Sequence, residues 1–227
     1  MVVVRGGNME EDIRQVPEFD RIVLRDWGKL VLRRSDLPSL IVEADEEFLG
    51  EVSTVVENGT LTLRIGRKWL DIVKNTFQRG VERQKVTYYV NVPALEAIEV
   101  TGAARVEADG LAGEAFELLF SGAGNIDMRN VEFGAIDVEM PGAGKLSISG
   151  TARDQRAVLS GAGSYQAGAL ECESAKVELK GVGKATVNVR DRLQAVVRGV
   201  GTVEYLGDPE VEKRVSGLGQ VVRASSK

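Results

Sequence analysis

The chain has 227 residues, 43% of them hydrophobic and 28% charged, so it can bury a packed core and is not a disordered polymer. A net charge of -5 without a basic stripe excludes a typical nucleic-acid binder. With no histidine and a single cysteine, Cys172, it excludes Ser-His-Asp and Cys-His catalysis, imidazole metal sites and an intrachain disulfide.

Residues 1–92 read as an N-terminal β region. Met1-Val2-Val3-Val4 is too short for the apolar core of a signal peptide, and Arg5 ends it. Residues 19–24, 29–33 and 40–44 are strand candidates, and residues 45–50 suggest one helical turn with Asp45 as its cap and Gly50 as its stop. Asn58-Gly59 lies between two alternating segments and predicts a hairpin over 52–65 with a type I′ turn. Asn58-Gly59-Thr60 also matches a glycosylation sequon, but the turn explains it better. Trp69, Leu70, Val73 and Phe77 have helical spacing, which predicts a short amphipathic helix over 68–78. The basic stretch 79–85 also holds Glu82 and reads as a solvated loop. Residues 84–92 return to strand and stop at Pro93.

From residue 93 to 227 a Gly-x-Gly pair recurs at intervals of 18 to 20 residues. The pairs are Gly122 and Gly124, Gly142 and Gly144, Gly161 and Gly163, Gly181 and Gly183, Gly199 and Gly201, and Gly217 and Gly219. A degenerate copy starts at Gly102, with Ala104 in place of the second glycine. Stacking the copies gives apolar columns. Two before the first glycine stand Val100, Phe120, Met140, Leu159, Leu179, Val197 and Val215; four before stand Ile98, Leu118, Val138, Ala157, Val177, Ala195 and Lys213. Four after stand Val106, Ile126, Leu146, Tyr165, Ala185, Val203 and Val221. The residues between are mostly polar. This alternation predicts strands with one buried and one wet face, and a fixed short period predicts stacked coils. The fold class expected is all-β, a parallel β-solenoid with the N-terminal β region capping or continuing it in one core. Seven coils spaced about 4.8 Å apart would form a rod roughly 30 Å long.

The glycine pairs are expected to turn the corners, where glycine tolerates positive φ and a close backbone approach. The residue between them (Ala103, Ala123, Ala143, Ala162, Val182, Val200 or Leu218) is always apolar and is expected to point inward.

Little in the sequence points to catalysis. No pair extends to Gly-x-Gly-x-x-Gly with a helix to receive a pyrophosphate, no Walker lysine occurs, and no serine sits in Gly-x-Ser-x-Gly. Coils of constant length leave no insertions to build a cleft around paired acids. The column Glu107, Asp127, Ser147, Gln166, Thr186, Glu204 and Val222 is polar but too mixed for a calcium ladder, so it reads as a solvated face. Cys172 lies between Glu171 and Glu173, whose charges are expected to raise its thiol pKa. No cofactor or metal is expected. No run of 18 apolar residues exists, so no transmembrane helix is expected. Trp27, Trp69 and Phe77 lie outside the ladder and are the candidate surface binding residues; the alternative is that they pack over the first coil.

The run Pro17-Glu18-Phe19-Asp20-Arg21-Ile22, the segment Ile41-Val42-Glu43-Ala44-Asp45-Glu46 and Val56-Glu57-Asn58-Gly59-Thr60-Leu61 resemble the start of a bacterial family described as putative autotransporter adhesin, head GIN domain (DUF2807-type). The Ser-Gly-Ala-Gly blocks at Ser121 and Ser160 resemble its body. Tyr205-Leu206-Gly207-Asp208-Pro209 and Ser216-Gly217-Leu218-Gly219 resemble its last coil. The resemblance spans residues 6–222. It implies a β-helical, non-enzymatic, generally exported protein and brings no catalytic residues with it. Trp27 and the insert at 68–83 depart from the pattern, as does the lack of an export signal or lipobox cysteine before Arg5. The expected function is an adhesin, ligand-binding or structural module of the cell envelope, facing an unknown protein or glycan surface. The alternatives are a cytoplasmic, bactofilin-like scaffold that polymerises through its solenoid ends, and a polysaccharide-active enzyme.

Overall fold

The structure, a computed structural model, describes residues 9–66 and 86–224. In chain order the N-terminal part forms β1 (Met9–Arg14), β2 (Arg21–Leu24), β3 (Trp27–Arg34), β4 (Ser39–Asp45), the one-turn helix α1 (Glu46–Leu49), β5 (Val52–Glu57), β6 (Thr60–Ile65) and β7 (Thr87–Val92). Then follow β8 (Ala97–Val100), β9 (Ala103–Asp109), β10 (Ala112–Phe120), β11 (Ala123–Met140), β12 (Ala143–Leu159), β13 (Ala162–Leu179) and β14 (Val182–Val197). The last strands are β15 (Val200–Leu206), β16 (Glu210–Val215) and β17 (Leu218–Arg223). The expected helix over 68–78, Trp69, Phe77 and the basic stretch 79–85 lie outside the described residues.

The fold is a parallel β-solenoid. One ladder of parallel strands runs β7, β3, β9, then the first halves of β11 to β14, then β15 and β17. A second runs β6, β2, β8, the end of β10, the ends of β11 to β14, and β16. From β8 to β17 a glycine corner joins them in each coil. The columns of the sequence are the columns of the core: Val100, Phe120, Leu179, Val106, Leu146 and Tyr165 are completely buried, and one apolar cluster runs from Phe19 to Val221.

The first coil is β2 and β3, and the chain then doubles back. The antiparallel pairs β5–β6, β4–β7 and β1–β4 cover the N-terminal end, where a parallel stack would otherwise expose free backbone groups. Arg14 holds this cover together by donating to the carbonyls of Val52 at 2.7 Å and Leu49 at 3.2 Å, and to Thr54 Oγ1 at 3.0 Å. Asn58 and Gly59 have φ of 49° and 75°, as a type I′ turn requires. The helical turn is present, but Asp45 makes no side-chain cap bond and Gly50 stays in the right-handed region, so α1 starts and stops without the expected signals.

The corner corrects one expectation. Ala103, Ala123, Ala143 and Ala162 are exposed, as are Val182, Val200 and Leu218, the last at 81%. They point outward. The reason is parity: counting by twos from buried Phe120 to buried Ile126 passes through both glycines, so Gly122 and Gly124 take the inward positions and Ala123 the outward one. The bore is pinched there. A Cβ on Gly122 would overlap the carbonyl oxygen of Gly102, and the same holds up the ladder for the later first glycines. Positive φ is a smaller part of the role than expected. It is found at second glycines such as Gly124 (φ 135°), while the first glycines are needed for the close approach alone. The ladder also extends further back than the repeat suggests: Trp27 and Gly28 of β3 pair with Ala103 and Ala104, and β7 pairs with β3 beyond them.

Candidate binding face

Two outward columns run along the ladder of β9, β11, β12, β13, β14 and β15. One is Glu107, Asp127, Ser147, Gln166, Thr186 and Glu204; the other is Arg105, Asn125, Lys145, Ser164, Lys184 and Thr202. Charges at the two ends of this face are paired. Lys29 Nζ lies 2.8 Å from Glu107, Arg105 3.8 Å from Glu107, and Arg129 3.0 Å from Asp127; at the other end Lys184 Nζ lies 2.6 Å from Glu204. The hydrogen bond from Lys29 holds the Glu107 carboxyl below its ordinary pKa. Between these ends the side chains of Asn125, Lys145, Ser147, Ser164, Gln166 and Thr186 make no hydrogen bond or ion pair with other described residues. They form a grid with rows about 4.8 Å apart, the coil spacing.

Beside this grid lies a shallow groove of about 370 Å³, lined by Asp127, Ser147, Ile148, Ser149, Gln166, Gly168, Ala169 and Thr186. It exists because the strands lose register here, between Ser147 and Ser149 and between Ala167 and Glu171. Small residues fill the irregularity: a Cβ on Gly168 would meet Leu206 at 3.1 Å and Thr186 at 3.4 Å.

The face carried by β8, β16 and the ends of β10 to β14 differs. There Arg156 reaches Asp137 at 2.6 Å and Glu139 at 3.2 Å, Ser174 donates to Asp154 at 2.5 Å, and Arg198 lies 2.6 Å from Glu178. These pairs tie one coil to the next. The corner glycines line a flat trough with Ala103, Ala123 and Ala143, bordered by Thr101, Ser121 and Pro141. Trp27, at the N-terminal corner, is half-buried with its ring 5.8 Å from that of Phe48, and packs against the core. It stands three coils from Ala143 and so apart from the groove.

Inside the bore, Gln155 Nε2 donates to the hydroxyl of fully buried Tyr165, and two oxygens lie within reach of the single Cys172 S–H, Gln155 Oε1 at 3.4 Å and the Asn188 carbonyl at 3.2 Å from the sulfur. Burial is the main cause that pushes the Cys172 thiol up to about 12, with a smaller contribution from Asp154. The expected cause, the flanking Glu171 and Glu173, is replaced by desolvation because the strand turns both carboxylates away from the sulfur. Among the described residues no acidic, cysteine or histidine cluster could hold a metal ion. No helix among them is long and apolar enough to cross a membrane.

The family model described as putative auto-transporter adhesin, head GIN domain, matches residues 18–209. A solved structure of a putative adhesin from Bacteroides fragilis NCTC 9343 superposes with a TM-score of 0.86 at 23% identity, covering 96% of this chain and 97% of that one. A putative adhesin from Parabacteroides merdae ATCC 43184 gives 0.67 at 16% identity, covering 96% and 97%. A putative lipid binding protein from Parabacteroides distasonis ATCC 8503 gives 0.67 at 21% identity, covering 96% and 98%. At these identities the likeness is one of fold. No curated protein matches the chain.

Proposed function

The chain belongs to this head GIN domain family, and we propose that it is a non-enzymatic binding module of the bacterial envelope or cell exterior, acting in adhesion through the face that carries Ser147, Gln166 and Thr186. The observation that carries this reading is the grid of polar side chains left without partners among the described residues on one face, while on the other face pairs such as Arg156 with Asp137 and Arg198 with Glu178 tie coils together. Hydroxyl, amide and ammonium groups in rows about 4.8 Å apart suit an extended, hydroxyl-rich chain lying along the rod. Protein partners are usually held by buried aromatic and arginine anchors, and the centre of this face offers none. The partner is therefore a neutral glycan.

The lipid reading attached to the Parabacteroides distasonis protein gains no support from the bore, which core side chains fill. The polymer-scaffold alternative gains none from the family. Binding of the purified chain to immobilised neutral polysaccharides, with no change in their chain length, is the expected result. Retention on none of them, or their depolymerisation, would overturn the proposal.

A further inference from the structure

The two ends of the solenoid are finished differently. Antiparallel strands cover the N-terminal end, whereas among the described residues the C-terminal end finishes on two parallel strands, β16 paired with β14 and β17 paired with β15. Such parallel edges offer a row of backbone donors and acceptors to another strand. Apolar residues sit beside them: Val215 is 45% exposed and Leu218 81%. On this rim one residue breaks the core pattern. Lys213 pairs in register with Ala195, which is completely buried, so it occupies a bore-facing position in the column Ile98, Leu118, Val138, Ala157, Val177 and Ala195. It is exposed and has no ion pair among the described residues.

We infer that the C-terminal rim is a latent self-association surface and that Lys213 keeps it open. Consider two copies meeting edge to edge through antiparallel β16 strands about a twofold axis. Registers that keep bore facing bore pair residues of like parity. In one of them Val211 lies opposite Val215 of the second copy, and Glu212 lies opposite Arg214. From Val211 to Val215 apolar meets apolar and acid meets base except at the centre, where Lys213 lies opposite the second copy's Lys213, on the axis and inside the bore; Glu210, at the strand end, lies opposite Ser216. The adjacent registers of this kind place Glu212 or Arg214 opposite its own counterpart. Self-pairing is thus complementary except at Lys213, where two ammonium groups would be desolvated together. An inward-pointing charge on an edge strand is a known way to leave that edge unpaired. It also leaves the lateral faces as the surfaces available for binding.

The test is the molar mass in solution by light scattering at micromolar concentration. Wild type is expected at the 24.5 kDa of the single chain. Lys213→Val is expected to double that mass. Lys213→Glu alone is expected to stay monomeric, because it restores a like-charge pair, and an equimolar mixture of it with wild type is expected to associate. Lys213 is exposed, so unchanged far-ultraviolet circular dichroism is expected for both variants. Doubling in the wild type, a Lys213→Val chain that stays monomeric, or a mixture that does not associate would each overturn the inference.

Discussion

The backbone of Gly124 rests directly on that of Ala104 in the coil before it, so closely that a Cβ on Gly124 would overlap the Ala104 carbonyl oxygen. With φ at 135°, the position also disfavours any other residue. Gly124→Ala is therefore expected to destabilise the fold by about 3 kcal/mol, the upper part of the range for overpacking, with backbone strain added. Urea unfolding measures it; a midpoint within error of wild type would contradict the stacking.

One residue away the expectation reverses. Ala143 points into solvent, so Ala143→Trp is expected to change stability by no more than ~0.5 kcal/mol, as for most surface substitutions. A fall in the urea midpoint comparable to that of Gly124→Ala would show that the side chain faces the bore.

Gln155 and Tyr165 form a buried pair. Gln155→Leu leaves the Tyr165 hydroxyl without this partner, and the expected cost is about 1–3 kcal/mol, the usual penalty for an unsatisfied buried polar group. Adding Tyr165→Phe removes the orphan and is expected to recover part of the loss. A double-mutant cycle with no coupling would show that the two groups do not depend on each other.

Burial pushes the Cys172 thiol up to about 12 from its ordinary 9.0. A raised acid pKa means that the unfolded chain loses its proton first. The contribution to stability is therefore complete below about pH 9 and declines as pH rises toward 12. In the native protein at pH 8 the thiol is expected to resist a colorimetric disulfide reagent and to react fully once unfolded in urea. Rapid reaction of the folded chain would contradict the burial.

The solenoid was legible because its core columns repeat with Lys213 as their one break: Phe120, Met140, Leu159 and Leu179 keep one phase over four coils. The inward glycines were legible from the same phase, but the apolar character of Ala143 and Val182 pointed the other way. Composition misleads where parity does not. The first coil was hidden because Gly28 stacks on Ala104 only after a long excursion through β4 to β7, and no local spacing records such a contact. The binding face was hidden for a related reason. Its residues appear in the sequence as a polar column, but which of them lack partners depends on contacts such as Lys29 with Glu107, made between distant parts of the chain.

The most direct test is glycan binding by three chains side by side: wild type, the triple variant Ser147→Ala, Gln166→Ala, Thr186→Val, and the corner variant Ala143→Trp. Removing three side-chain hydrogen-bonding groups at about 1 kcal/mol each is expected to weaken binding by about a hundredfold in the triple variant. Ala143→Trp is expected to bind as wild type does. Equal binding by the triple variant and wild type would contradict the assignment of function to this face.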